Sequence, residues 1–333
     1  MHPLMTPSTS AITPSLARRV IAIAGRAPSL HNSQPWRFRL VDGALELCVD
    51  PDRAMTRSDP TARELVISCG AALYTLRLAL RCEGRTPRVE IAPAAGHPLV
   101  LARITAQDGP PPTQEESRLL AAVVRRHTHR HGFDGVPIPP ATMSAFEDDV
   151  TAEGAHLVWV DDRDAVTAIV DLAVLADRLQ VEDPDWQAEI ARWVDATGSG
   201  QGDGIPIAAV PLVPPPRRTD RLPDRTFAPG RSPRQRSFRA GAPGRVAVLV
   251  TANDLIGDWL SAGQALQRML VRAADGWVFA TFATAPLELP HLRAALRDRL
   301  QLRDHPQMVL ELGHAGTAHA TPRLPAETQL DLG

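Results

Sequence analysis

The sequence predicts an α+β fold in two halves, each built on one long central helix with a mixed or antiparallel sheet. Three observations lead there. Residues 61–81 and 254–274 have helical period and are apolar nearly all round or along a broad face, which marks helices buried on most sides. Short alternating segments separated by turn residues read as strands. A length of 333 residues is near the size at which a single core divides, so two halves are expected.

The halves are 1–110 and 111–333, with Gly109-Pro110-Pro111-Pro112 at the boundary. Thr13-Pro14-Ser15 starts a helix whose apolar side is Leu16, Val20, Ile21, Ile23 and Ala24. Residues 36–41 and 44–49 form a hairpin turning at Asp42-Gly43. After a polar loop at 50–60, Asp59-Pro60-Thr61 opens the first long helix, which reaches Arg81. Gly70 within it permits close approach of another backbone. Strands follow at 87–92 and 98–105.

The second half starts with a helix at 114–126, then a helix at 139–152, a strand at 155–160 and a helix at 162–180. A short helix at 185–195 carries Trp186 and Trp193. Val246 to Val250 is a buried strand. The second long helix follows, with Trp259, Gly263, Leu266, Met269 and Leu270 on one face. A helix at 289–301 and a strand at 307–312 finish the fold. The two halves share an outline but no sequence repeat.

Residues 196–244 are different in kind, rich in Gly, Pro and Arg and nearly without periodicity. A loop this long in a compact chain is either functional or disordered, and it reads as a lid-like insertion. Gly198 to Gly204 superficially suggests a dinucleotide loop, but it follows a helix rather than a strand and reads as a flexible hinge.

Net charge is −2, so whole-molecule charge implies no nucleic-acid or membrane partner. The insertion's arginines, among them Arg217, Arg218, Arg221 and Arg225, suggest a nucleic-acid arm, but Phe227 and Phe238 are its only interleaved aromatics. The chain has no lysine, so any phosphate site must use arginine, hydroxyls or backbone amides. Cys48, Cys69 and Cys82 are unpatterned and sit in apolar contexts, as reduced thiols of a cytoplasmic protein do. Neither a signal peptide nor a run of 18 apolar residues is visible. His127, His129 and His131 alternate, but arginine stands between them and no carboxylate or cysteine lies at ligand spacing, so no metal is expected.

Two segments carry the chemistry. In Pro28-Ser29-Leu30-His31-Asn32-Ser33-Gln34-Pro35-Trp36, two prolines forbid helix and stiffen a loop. Between them lie hydroxyls, an imidazole and two amides, suited to grip a planar ring rich in heteroatoms. In Arg126-His127-Thr128-His129-Arg130, two arginines flank a hydroxyl, which suits a phosphate dianion. A solvated basic helix end would read the same way.

Pro28-Ser29, Asn32 and Gln34-Pro35-Trp36 resemble the flavin loop of the nitroreductase family. Arg126, Thr128 and Arg130 resemble its second signature, with threonine for serine, and the following Val136-Pro137-Ile138-Pro139 fits too. In that family each FMN lies between two subunits, one giving the arginine segment and the other the loop. Here the first half has only the loop and the second only the arginine segment. The chain therefore resembles a nitroreductase dimer fused into one polypeptide with one flavin site, as in the family's Acg-like branch from actinobacteria. Arg63 to Leu73, Asp258 to Arg268 and Pro286-Leu287-Glu288 also resemble that branch.

The resemblance implies FMN as cofactor, with Pro28, Ser29, His31, Asn32 and Gln34 at the ring and Arg126, Thr128 and Arg130 at the phosphate. Arg323, after the closing strand, would add a second positive group, or else be a surface arginine near a terminus. The backbone at Ala285 and Leu287 would supply amides near flavin N5, or else be an ordinary helix connection. The implied activity is NAD(P)H-dependent reduction of a nitro compound or quinone, with no catalytic side chain required. The alternative is an FMN store whose insertion covers the flavin. The fused halves would act as a monomeric pseudo-dimer or pair again as a homodimer.

Overall fold

The computed structural model describes residues 11–91, 99–130, 132–195, 202–206, 222, 241–316 and 320–332. The first half opens with α1 (Pro14–Ala24), capped by Thr13 Oγ1, which accepts from Leu16 N. The expected hairpin follows as β1 (Trp36–Val41) and β2 (Ala44–Val49). Asp42 and Gly43 both take positive φ, 50° and 70°, as a tight primed turn requires. Then come α2 (Arg63–Cys82), β3 (Arg85–Ile91) and β4 (Val100–Asp108). α2 starts two residues beyond Thr61 because Ala62 is left-handed, and the Asp59 carboxylate accepts from Leu65 N instead.

In the second half, α3 (Gln114–Val123) begins with a reciprocal cap between Thr113 and Glu116. It ends at Val123 rather than 126, which leaves 126–130 outside the helix. Next are α4 (Pro140–Thr151), β5 (His156–Val160), α5 (Arg163–Glu182) and α6 (Pro184–Trp193). The short β6 (Val194–Asp195) and β7 (Ile205–Pro206) pair in parallel. β8 (Arg245–Thr251), α7 (Ile256–Asp275), β9 (Val278–Phe282), α8 (Ala285–Glu288), α9 (Pro290–Arg299) and β10 (His305–His314) follow. The described chain ends with α10 (Ala326–Gln329) and β11 (Leu330–Asp331). Among these, β9, β11 and the short elements are additions to the expected order.

The first sheet runs β11-β1-β2-β4-β3 and the second β5-β8-β10-β9. The first packs one face, with Phe38, Leu45, Leu47 and Ile104, onto α1 and α2. Arg37, Arg39 and Glu46 alternate with these on the other face, so the strands read polar and apolar in turn. The second sheet is covered on both faces. Ala247 and Leu249 of β8 pack toward α4 and α7, while Val246, Val248 and Val250 pack toward α5 and α9. That explains the uninterrupted apolar run of β8.

The boundary at 110 separates the two sheets except at one place. β11, from the end of the second half, pairs in parallel with β1, Phe38 opposite Leu330. The expected division at 110 is thus corrected for the C-terminal arm, which belongs with the first half. The lid-like insertion lies mostly outside the described residues. Of it, Leu222 is buried against α5 and β8.

α2 and α7 cross at the centre of the molecule. All but three residues of α2 are buried. Its length and apolarity would suffice to cross a membrane, but here they are spent on packing inside the protein. The crossing has no room for side chains. A Cβ on Gly70 would lie 2.2 Å from Leu260 O, and one on Gly263 would lie 2.0 Å from Ile67 O. Next to the crossing, Gln267 Nε2 donates to Thr75 Oγ1 at 2.9 Å, a buried bond that fixes the helices' register.

Gly70→Ala and Gly263→Ala should each cost about 1–3 kcal/mol, since both obstructing atoms are backbone. Gly257, in the first turn of α7, has open space around it. Gly257→Ala should leave the melting temperature unchanged or slightly higher. Thermal unfolding of the three variants checks the contrast.

Candidate functional site

A cleft opens between the two halves. The first half supplies Pro28, Ser29 and His31 from the loop and Glu64, Ile67 and Ser68 from α2. The second supplies Thr128, His129 and Arg130, then Leu266, Phe282, Thr284 and Met308. Ile205 of β7 completes the wall. One chain therefore furnishes both sides.

The loop is held by short polar bonds. Ser29 Oγ accepts from Gln34 N at 2.9 Å, and Ser68 Oγ of α2 accepts from Leu30 N at 3.3 Å. Three non-glycine residues take positive φ: His31 at 48°, Asn32 at 59° and Gln34 at 51°. Each such residue costs on the order of 1 kcal/mol, so other contacts must hold the loop in place.

Those contacts come from Asn32 and Gln34, and they correct an expectation. The resemblance places both amides at the ring, but neither lines the cleft. Asn32 Nδ2 donates to Gly204 O at 2.9 Å and to Pro322 O at 3.0 Å. Its Oδ1 accepts from Arg323 Nη1 at 2.9 Å. Gln34 Nε2 donates to Gly202 O at 2.8 Å, and Oε1 accepts from Leu324 N at 3.0 Å. The two amides thus tie the loop to 202–204 and to the C-terminal arm. The described end of the glycine segment is accordingly pinned, where a free hinge was expected.

The arginine segment docks beside β9. Thr128 bridges Ala280 of β9, His129 N donates to Ala280 O at 2.9 Å, and Thr281 Oγ1 donates to His129 O at 3.1 Å. His129 stacks on Phe133 with ring centroids 5.0 Å apart. Thr128 and Arg130 line the cleft, and Arg126 lies behind them at 4% exposure.

Arg126 and Arg323 converge on the loop. Arg126 Nη2 donates to Arg26 O at 3.1 Å, and Arg323 Nη2 donates to the same oxygen at 3.3 Å. Among the described residues no carboxylate pairs with either, and the Nε of each is buried without a partner. Burial first, then the charges of Arg323 and Arg130, push the Arg126 pKa down to about 9. Burial, then Arg26 and Arg130, push Arg323 down to about 10. His127, half-buried beside them, falls to about 4, from burial first and then the neighbouring arginines. This is a strongly positive pocket with donors left over.

The expected amide donors fare less well. Leu287 N donates to Thr284 O at 2.7 Å, which removes it as a donor to a ligand. The side chains of Ala285 and Leu287 pack into the cluster beneath the second sheet. The neighbouring Thr284 lines the cleft in their place. Glu64, Ser68, Phe282 and Met308 were also outside the expected set. Glu64 is the only carboxylate of α2, and that is its one mark in the sequence.

No family model matches the chain. The Mycobacterium tuberculosis protein Rv3131, named by inference as an NAD(P)H nitroreductase, is 33% identical over 302 residues, covering 90% of this chain and 85% of its own. The Acg protein of the same organism, named likewise, is 27% identical over 332 residues, covering 95% of each chain. Among solved structures, a nitroreductase with bound FMN from Desulfitobacterium hafniense aligns at 11% identity over 64% of this chain and 96% of that one, TM-score 0.40. The NADPH:FMN oxidoreductase of Vibrio harveyi aligns at 13% identity over 63% and 74%, TM-score 0.38. On the breadth of the sequence match to Rv3131, this chain belongs to the nitroreductase family, within its Acg-like branch.

Proposed function

We propose that the chain is an FMN-dependent oxidoreductase that takes electrons from NAD(P)H and gives them to a small acceptor such as a nitro compound or quinone. The observation that carries this reading is the arginine pocket beside the loop. Arg126 and Arg323 are held without a carboxylate, each with an unmet buried Nε. A phosphate monoester offers the charge and the acceptor oxygens that these donors lack. The cleft's apolar walls, with Ile67, Leu266, Phe282 and Met308, suit a flat ring system. The residues therefore fit FMN, with the phosphate at Arg126, Arg130 and Arg323 and the ring against Pro28, Ser29 and His31.

Bound FMN supplies two-electron chemistry, accepting hydride from the nicotinamide and yielding it to the acceptor. The protein's own work is to hold and shield. The strained loop presents Ser29 and His31 to the cleft, Thr128 presents a hydroxyl, and Ile67, Leu266, Phe282 and Met308 keep water from the ring. A second reading is storage of FMN with little turnover. Ile205 favours it, because the start of the insertion already forms part of the cleft wall. Anaerobic mixing of the FMN-loaded protein with NADH and NADPH separates the two. Fast bleaching supports the enzyme, and flavin that stays yellow supports the store.

FMN should load at about one per chain, since the loop and the arginine segment each occur once; two per chain contradicts the site. Arg126→Ala should weaken FMN roughly tenfold to a hundredfold while changing riboflavin little. Equilibrium dialysis with both flavins checks it.

The depressed pKa of Arg126 gives a pH signature. A base whose folded pKa lies below its unfolded value destabilises the fold while charged in both states. That cost is full below about 9 and recedes as pH rises toward the ordinary arginine range. A phosphate offsets it only while Arg126 is protonated. The FMN-to-riboflavin affinity ratio should therefore be constant at neutral pH and fall as pH rises through about 9. A ratio flat to pH 10.5 would remove Arg126 from the phosphate.

A further inference from the structure

We propose that Arg26 receives a phosphate of the nicotinamide dinucleotide, as the exposed member of an arginine cluster whose charge one flavin phosphate does not exhaust. The proposal rests on FMN occupying the cleft, and names the residue that recognises the reductant there.

Arg26 follows Gly25, the C-cap of α1, and comes just before Ala27 and Pro28, the latter in the cleft wall. Arg126 Nη2 and Arg323 Nη2 both donate to the Arg26 carbonyl, at 3.1 and 3.3 Å, and Arg323 Nη2 reaches Ala27 O at 3.4 Å. The backbone of Arg26 is therefore the point at which two arginines from the second half converge. Its own guanidinium belongs to the same cluster. Of the neighbouring charges, Arg26 does most to lower the Arg323 pKa, ahead of Arg130, and it acts also on His127.

The cluster is graded in depth. Arg126 is buried, Arg130 and Arg323 are half-buried, and Arg26 is exposed. Arg323 spends Nη1 on Asn32 Oδ1 at 2.9 Å and on Thr321 Oγ1 at 2.6 Å. The Arg26 guanidinium has no hydrogen bond or ion pair with a described residue. No described carboxylate pairs with Arg26, Arg126 or Arg323, so three positive charges stand together. His127 adds none at neutral pH, since burial and the arginines lower its pKa to about 4. A phosphate monoester brings about −1.5 to −2. Positive charge is left over, and the member of the cluster that another molecule can reach is Arg26.

The reductant is the reactant that matches this residue. Simple nitro compounds and quinones bring no phosphate, whereas NADH brings a diphosphate and NADPH a 2′-phosphate besides. With the nicotinamide on the flavin, burying those phosphates against Ile67, Leu266 and Met308 would cost their hydration, so they leave the cleft at a charged edge. An arginine suits them there through its charge and its paired donors. Being exposed, the contact is weakened by salt.

The test titrates NADP⁺, NAD⁺ and 1-methylnicotinamide, a nicotinamide ring without phosphate, into the FMN-loaded, oxidised chain. Flavin absorbance reports binding with no turnover. Arg26→Gln should weaken NADP⁺ about fivefold or more at low salt and leave 1-methylnicotinamide unchanged, and Arg26→Lys should lose less. A loss confined to NADP⁺ assigns Arg26 to the 2′-phosphate, and an equal loss for NAD⁺ assigns it to the diphosphate. Wild-type affinity for NADP⁺ should also fall with ionic strength more steeply than that for 1-methylnicotinamide. An unchanged NADP⁺ affinity in Arg26→Gln, an equal loss for 1-methylnicotinamide, or no binding of either dinucleotide overturns the proposal. So does loss of FMN from Arg26→Gln, which would give Arg26 to the flavin phosphate. Failure of the wild-type chain to load FMN would be seen first, and would sink the flavin reading instead.

Discussion

The contact between Gly70 and Gly263 is the constraint on which the rest depends. Two helices of twenty residues can bury most of their surface only if their backbones approach closely. With a Cβ at either glycine, the obstructing carbonyls of Leu260 and Ile67 would force the axes apart. Everything that forms the cleft is referred to this crossing. Glu64, Ile67 and Ser68 lie on one helix and Leu266 on the other. Their separation sets the width between the walls, and a shift of one helix would move the loop through the bond from Leu30 N to Ser68 Oγ.

Against that rigid centre stands an unbalanced periphery. Arg126 is buried near Arg130 and Arg323 with no described carboxylate in reach, an arrangement that opposes folding. Pairing each arginine internally would have been more stable and would have left no site. An anion at these arginines would offset that cost. The contrast with α4 and α7 is instructive. There Asp149 receives both Arg268 and Arg272, a cluster satisfied within the protein.

Much of this was legible in the residues. Asp42-Gly43 names its turn, because both positions need positive φ. The long helices show themselves by period and by the breadth of their apolar faces. The loop and the arginine segment show themselves by residue type, and Pro28, Ser29, His31, Thr128 and Arg130 do line one cleft. The rest was hidden for physical reasons. β9 is five residues long and begins directly after a left-handed Trp277, with only Gly276 to separate it from α7. The roles of Asn32 and Gln34 depend on carbonyls of Gly202, Gly204 and Pro322, which no local pattern foretells. Glu64 is concealed by its neighbour Arg63, since adjacent opposite charges usually mark a solvated helix start.

The bonds of Gln34 also bear on how the chain acquires its shape in time. Leu324 and Gln329, which meet its side-chain oxygen, follow it by 290 and 295 residues. β11 joins β1 over the same distance. During synthesis the first sheet and α1 can collapse early, but the loop between α1 and β1 lacks its anchors until nearly the whole chain exists. Contacts of such separation form late and slowly. The cofactor loop should therefore be the last part of the molecule to set, and a nascent chain would hold a first half already packed around an unfinished site.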